Sequence, residues 1–317
     1  MSEPLRIVSL IPSATEIVCA LGARENLVGV SHECDFPIGV EALPHCCAPK
    51  LDTGAGSQAI DREVKQIVEK GLSVYAVDAQ RLRTLAPDVI VTQSQCDVCG
   101  VSESELIKAV GEWLRSDDVR VVSLHADRLR DVWRDIERVA DAIGQPKAGS
   151  DLIRALTIRL QEIASAAHGA RQQAAAGKKI VCIEWMEPLM AAGHWVPELV
   201  ELAGGEALLA TAGEGSPWIE FQQIAEADPH AILVMPCGFH LPQIQARLNE
   251  LTHKEGWADL RAVRTGDVYL CNGNHFFNRP GPRLVESAEI LGEIFWPDAI
   301  NLGYAGAAFV RMAPPEI

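Results

Sequence analysis

Between Asp127 and about Ala176 the chain offers no strand-like segment, whereas on both sides short apolar runs alternate with helix-compatible ones. Within that stretch, Gly149 to Ala175 amounts to roughly 27 residues of helix-compatible sequence, about 40 Å of helix at 1.5 Å per residue. A chain so divided is expected to fold as two α/β lobes joined by one long backbone helix. Its length of 317 residues, about twice a usual single domain, supports the same division. The expected organisation is an N-terminal α/β lobe over residues 1–126, a linker with the interlobe helix over 127–177, a C-terminal α/β lobe over 178–296 and a tail over 297–317.

In the first half, Arg6 to Ile11 reads as a buried strand, and Pro12-Ser13 opens a helix in which Ser13 and Glu16 have capping-box spacing. Gly22 is placed to end that helix. Strands follow at Leu27–Val30, Val74–Val77, Asp88–Thr92 and Val119–Leu124, with helices at Ser57–Lys70, from Asp78, and from a Ser102 cap to Arg115. This β-α alternation predicts a Rossmann-like lobe with a mostly parallel sheet. After Gly177 the alternation resumes, with strands at Ile180–Trp185, Ala231–Met235 and Val268–Cys271, and helices at Val196–Leu202 and Pro282–Phe295. Leu85-Ala86-Pro87-Asp88-Val89-Ile90-Val91 and Ala227-Asp228-Pro229-His230-Ala231-Ile232-Leu233-Val234 echo one another as helix end, proline and apolar strand, which suggests a pseudo-repeat.

Charge narrows the partners. Lys plus Arg number 28 against 43 Asp plus Glu, a net charge of −15 that repels phosphate backbones, so nucleic acid is not expected as a partner. The most apolar segments, Leu10–Leu21 and Ala231–Leu241, are interrupted by Glu16 and Pro236 and are too short to enter and cross a bilayer. Residues Met1–Arg6 read without an export signal, and nine cysteines spread through a long chain suit free thiols. A soluble, cytoplasmic protein is expected, or a periplasmic one if an export signal had been removed.

Chemistry-bearing residues gather in a few loops. Thr92 to Gly100 contains the pair Cys96 and Cys99 beyond the end of a strand, where α/β proteins place ligand-contacting groups. A lone C-x-x-C lacks the second pair of a structural zinc site, so metal binding, redox use and inert thiols all stay open. His32, Cys34 and Asp35 follow another strand of the same lobe and could join Cys96 and Cys99 in holding Zn or Fe, or could simply staple their own loop. Cys46 and Cys47, being adjacent, read as packing residues. In the second half, Glu184-Trp185, His194-Trp195, Trp218 and Asn274-His275-Phe276-Phe277 sit at turns and strand ends, and flat rings so placed suit a large planar ligand. No G-x-G-x-x-G after a strand, Walker-type lysine loop, G-x-S-x-G elbow or H-E-x-x-H motif is present.

Taken with Ile7 to Glu16, Val28-Gly29-Val30-Ser31 with Asp35-Phe36-Pro37, Leu202-Ala203-Gly204-Gly205, Pro217-Trp218 and Arg279 to Arg283, the chain resembles, from about Arg6 to Ile294, the class III, helical-backbone (TroA-like) substrate-binding proteins of ABC importers, and their cobalamin-binding branch in particular. The resemblance implies a ligand held in a cleft between the lobes and delivery to an ABC permease. Trp218 matches a cleft aromatic of that branch and Phe276 falls beside another. Glu33 stands where the branch carries a stacking tyrosine. Permease docking in the family uses one glutamate on each lobe, and the matching positions are Gln80 and Gln222; a neutral amide cannot replace a carboxylate in a charge-assisted bridge to Arg.

The expectation is therefore a binding protein, not an enzyme, that holds cobalamin, a related corrinoid or another metal chelate and does not dock to an importer. His32, Glu33, Glu184, Trp185, His194, Trp195, Trp218, His275 and Phe276 are the candidate ligand contacts. One alternative is a metal-binding enzyme or metallosensor built on Cys34, Cys96 and Cys99 with His32 or His275. Another is an importer receptor whose leader is missing.

Overall fold

The computed structural model describes residues 3–50, 56–69, 74–95, 101–116, 119–174 and 177–314. The chain forms two compact units that divide after Ala126 and again between Ala155 and Leu156; Gly56–Gln58 and Asp127–Leu129 group with the second.

The first unit contains β1 (Ile7–Ser9), α1 (Pro12–Ala20), β2 (Leu27–Val30), β3 (Cys47–Pro49), most of α2 (Ser57–Glu69), β4 (Tyr75–Val77), α3 (Ala79–Leu85), β5 (Val89–Gln93), α4 (Glu103–Ser116), β6 (Arg120–Leu124), most of α5 (Leu129–Ala142) and the start of α6 (Pro146–Gln173). Four strands pair in the order β2-β1-β5-β6, all parallel. Ile7, Val8, Val89, Ile90 and Val91 are fully or almost fully buried. Each such side chain contributes about 1.5–3 kcal/mol by leaving water, which is why these short runs hold as central strands despite their length.

Local signals account for most element ends. Gly22 adopts φ +80, and the bonds Gly22 N–H to Cys19 O and Ala23 N–H to Val18 O close α1 as a Schellman motif. Ser102 and Glu105 bond each other's backbone N–H at the start of α4. Two expectations are corrected. Ser13 does not cap α1: Pro12 takes the first helical position with Ile11 as the cap residue, so Ser13 lies inside the helix and its hydroxyl is buried without a hydrogen bond among the described residues. The strand at Val74–Val77 does not enter the parallel sheet: β4 pairs antiparallel with β3, a strand that the sequence pattern did not show.

The second unit contains most of α6, then β7 (Lys178–Met186), β8 (Leu189–Ala191), α7 (Val196–Leu202), β9 (Gly205–Ala207), α8 (Phe221–Ala227), β10 (Ala231–Val234), α9 (Leu241–Arg247), α10 (Asn249–Thr252), α11 (Arg261–Arg264), β11 (Val268–Cys271), α12 (Leu284–Phe295) and β12 (Phe309–Arg311). Its sheet runs β12-β11-β10-β7-β8. The long β7 divides its outer edge between parallel β9 at Lys178–Ile180 and antiparallel β8 at Ile183–Met186. The segment after residue 296 is not a featureless tail. Glu293 of α12 accepts the backbone N–H groups of Leu302, Tyr304 and Ala305 at 2.9, 3.1 and 3.1 Å, and the chain then returns as β12 against β11. Polar anchoring of this kind leaves no hydrophobic period to read.

The two units repeat one joint in atomic detail. Ala86 ends α3 at φ 41 and Asp228 ends α8 at φ 43, and in each case a proline and a central strand follow. Asp88 exchanges hydrogen bonds with Arg6, giving its N–H to Arg6 O (2.9 Å) and accepting the Arg6 N–H on Oδ2 (2.7 Å). His230 does the same with Lys179, giving its N–H to Lys179 O (2.8 Å) and accepting the Lys179 N–H on Nδ1 (2.9 Å). The side chain after the proline thus sets the register of the neighbouring parallel strand in both units. No described helix is long and apolar enough to cross a membrane.

Candidate functional site

In the first unit β2 releases Ser31 to Pro37 at its carboxyl end. His32 Nδ1 lies 3.3 Å from Cys47 Sγ, which in turn lies 3.2 Å from Ser31 Oγ. Burial holds the His32 imidazole below its ordinary value, with His45 adding to the effect, and burial pushes the Cys47 thiol up. The contact is therefore one of neutral imidazole with neutral thiol. Tyr75 of β4 gives its hydroxyl hydrogen to Glu33 Oε1 (3.3 Å), and its ring lies 5.6 Å from that of His32.

Cys34 is placed differently from the sequence reading, which grouped it with metal donors. Ser9 Oγ donates to Ile11 O and Thr15 Oγ1 donates to Ser9 Oγ, so the contact of 3.0 Å between Thr15 Oγ1 and Cys34 Sγ requires the thiol to keep its proton and donate it. Cys34 packs with Val30 and Val40 as a buried structural thiol. The thiol on the His32 ring is Cys47, which had been read as packing alone. Cys96 and Cys99 lie outside the described residues.

In the second unit the candidates collect at the carboxyl ends of β7, β10 and β11. Glu184 and Trp185 lie near the end of β7. The Glu184 carboxyl is pushed up to about 7 by burial, against an opposing hydrogen bond from Ser216. Trp185 packs on Phe239, with ring centroids 5.6 Å apart, and its indole Nε1 is buried with no hydrogen-bond partner among the described residues. Trp218 forms an isolated bridge with Met190 of β8 and is 54% exposed.

After β11 the backbone makes a single wide turn over Gly273–Phe277, closed by Asn278 N–H to Gly273 O and held at its start by Asn272 Oδ1, which accepts the His275 N–H at 3.0 Å. Glycine is required at 273 because a Cβ would strike the carbonyl oxygens of Met235 and Pro236. The turn brings the His275 ring edge-on to His240, 4.8 Å between centroids, with Phe276 6.1 Å from His275 and Arg283 over the Phe276 face. Arg279 donates to Asn274 Oδ1 (3.0 Å), which orients the amide so that its Nδ2 donates to His240 Nε2 (3.1 Å). His240 Nε2 is thereby engaged by the Asn274 amide. The sequence reading missed His240 although it follows the β10 strand end by six residues, and it missed Tyr75 because β4 had been assigned to the parallel sheet.

Two candidates have structural duties. Trp195 is 6% exposed and donates its Nε1–H to Phe277 O at 2.9 Å, tying the start of α7 to the Gly273–Phe277 turn, so its assignment as a ligand contact is corrected. Trp195→Phe is expected to lower unfolding free energy by about 1–2 kcal/mol in urea denaturation, the cost of a buried carbonyl without its donor, with little change at an exposed ligand surface. His194, at φ 52, stacks on Trp195 and bonds Asp127 Oδ1 through Nδ1 at 3.1 Å.

Gln80 and Gln222, the positions of the expected docking carboxylates, are each the second residue of their helix, α3 and α8, and both are exposed. These are the two helices that precede the repeated proline joint, so the positions are equivalent in the two units.

Each α/β unit is built on a mostly parallel sheet, and the second displays rings and imidazoles at its strand ends. The chain belongs to the periplasmic binding protein family, whose model matches residues 7–274. Among curated relatives, a vitamin B12-binding protein of Vibrio cholerae is 25% identical over 288 residues, covering 90% of this chain and 86% of its own. An ABC transporter substrate-binding lipoprotein of Bacillus subtilis is 24% identical over 307 residues, covering 94% and 82%. Among solved structures, a periplasmic heme-binding protein from Pseudomonas aeruginosa superposes with a TM-score of 0.74 at 20% identity over 99% of this chain and 100% of that one, a likeness of fold.

Proposed function

We propose that the chain binds a corrinoid of the cobalamin type, a planar metal chelate, at the carboxyl-end loops. The observation that carries this is the His275 imidazole, set edge-on to His240 and beside the Phe276 ring. Imidazole suits the axial position of a chelated transition metal, and rings suit the macrocycle. Curated relatives named as vitamin B12-binding proteins support the reading. Glu33 occupies a stacking position of that branch, yet Tyr75 beside it returns an aromatic ring to the same loop. His32, Glu33, Glu184, Trp185, His194, Trp218, His275 and Phe276 remain the proposed contacts, with His240 and Tyr75 added.

Mixing the purified protein with hydroxocobalamin is expected to shift the cobalt chelate's visible absorption, with saturation at one equivalent. Trp218→Ala should weaken binding about tenfold, the scale of one lost aromatic face, and leave the melting temperature unchanged because the ring is exposed. An unshifted spectrum, with haemin tested in parallel and bound instead, would replace the corrinoid by a haem-type chelate. The second reading, Zn or Fe held directly by protein donors, is favoured by the His32–Cys47 contact and by the ring nitrogens of His240 and His275, which belong to a group of possible metal donors; metal analysis of protein purified without chelators tests it.

We further propose that the protein acts by sequestration or hand-off in the cytoplasm rather than docked to an importer. Amides at both equivalent positions, Gln80 and Gln222, support this, as do seven free cysteines among the described residues. The expected result is recovery in the cytosolic fraction and no measurable association with a reconstituted cobalamin importer. Tight association would assign it to import.

A further inference from the structure

At the amino-terminal edge of the six-stranded sheet, opposite the carboxyl-end loops just described, the starts of β7, β10 and β11 surround a cavity of about 150 Å³. Its floor is apolar and buried, formed by Ala231, Tyr269, Ile294 and Phe295. Its rim carries two cations, Lys178 and Arg261, with the His230 ring beside them.

The polar groups of the rim are set as donors. His230 Nδ1 accepts the Lys179 N–H, so the ring proton sits on Nε2 as a donor. Neither Lys178 nor Arg261 has a carboxylate ion-pair partner among the described residues. The one carboxylate in the lining, Asp267, is occupied: Arg311 Nη2 bonds Oδ1 at 2.8 Å and the Thr265 hydroxyl bonds Oδ2 at 2.7 Å. Burial holds the Lys178 ammonium below its ordinary value, with Asp267 and Asp298 opposing. Burial, with Arg261 and Lys179 adding, likewise holds the His230 imidazole low, Asp228 opposing. The Lys178 ammonium lies 5.5 Å from the centroid of the Trp296 ring, and a half-buried ammonium is costly without a counter-ion; in a chain of net charge −15 a cationic rim is not the general character of the surface.

We propose that this cavity binds a small organic carboxylate with a flat apolar body, of the benzoate class, its carboxylate on Lys178 and Arg261 and its ring on the floor. The volume matches the class, since an apolar cavity of about 150 Å³ holds one benzene ring. The site is separate from the proposed corrinoid contacts and does not depend on them.

Sodium benzoate titrated into the ¹⁵N-labelled full chain tests this. Saturable shifts are expected at the amides of Lys178, Ala231 and Asp267. Lys178→Met should weaken affinity at least about tenfold and Arg261→Gln about threefold, the effect of losing charge-assisted contacts. Benzyl alcohol, the same ring without the charge, should not saturate, and inorganic phosphate should bind more weakly than benzoate for want of apolar contact. Unsaturable or scattered shifts, an affinity unchanged in Lys178→Met, or phosphate binding as tightly as benzoate would each overturn the proposal. Should Lys178→Met lose the folded spectrum, Arg261→Gln decides, because its side chain is exposed: unchanged affinity there overturns the site.

Discussion

Alanine at both His240 and His275 is expected to lower hydroxocobalamin affinity at least about a hundredfold and to abolish the shift of the visible band. Losing even the indirect supporting partners of a metal ligand costs about 10–100-fold, so removal of the imidazoles themselves should cost no less. The Gly273–Phe277 turn is held by Asn272 and by the Gly273 backbone rather than by the imidazoles, whereas the His240 side chain takes part in the capping box of α9, so the double variant should stay folded and lose about 1 kcal/mol of stability, the scale of one cap. Isothermal titration and the visible spectrum measure the effect. An unaltered spectral shift in the double variant would remove imidazole ligation from the proposal, leaving shape and stacking to carry recognition.

Glu184 gives the second large effect, on stability against pH. Its carboxyl is pushed from 4.5 up to about 7 in the folded protein by burial, so between those values the folded state binds more protons than the unfolded one. Stability from this group is fully present below about pH 4.5 and is lost as pH rises through about 7, an integrated change of about 3 kcal/mol. Asp135, raised to about 6 chiefly by burial, acts in the same direction. In Glu184→Gln the fall in unfolding free energy between pH 5 and pH 8, measured by urea denaturation, should be smaller than in the wild type by about 2–3 kcal/mol. Identical slopes would mean that the carboxyl titrates alike in both states. Because Glu184 directly precedes Trp185 near the end of β7, ligand affinity should follow the same titration.

Elements whose burial is two-sided were legible in the sequence. β2 and β11 run over the expected residues, Leu27–Val30 and Val268–Cys271, because a parallel strand buried on both faces is an unbroken apolar run. Helix ends at Gly22 and Ser102 were legible because the cap chemistry is local. What escaped was held together by partners remote in sequence. β3 exists because Cys47–Pro49 finds Tyr75–Val77; β8 folds back on β7; and β12 is delivered to β11 by the Glu293 carboxylate.

In the sequence the proposed site reads as a set of positions and not as a set of roles. Strand-end placement pointed to Glu184, Trp185, Trp218, His275 and Phe276, and a likeness of sequence pointed to the chelate. Whether a ring faces ligand or core depends on what its polar atom reaches: Trp195 Nε1 finds the Phe277 carbonyl, whereas Trp185 Nε1, among the described residues, finds none.

By itself, the sequence determined the two α/β units, the long helix shared between them and the repeated proline joint, because hydrophobic period, caps and proline act over a few neighbouring residues. Only the tertiary structure decided that Cys47 rather than Cys34 meets His32, that His240 joins His275, and that a cationic rim lies at the far edge of the second sheet. Those pairings follow from strand order and register, which bring together side chains remote in the chain, such as Lys178 and Tyr269, 91 positions apart, and no local pattern encodes such a meeting.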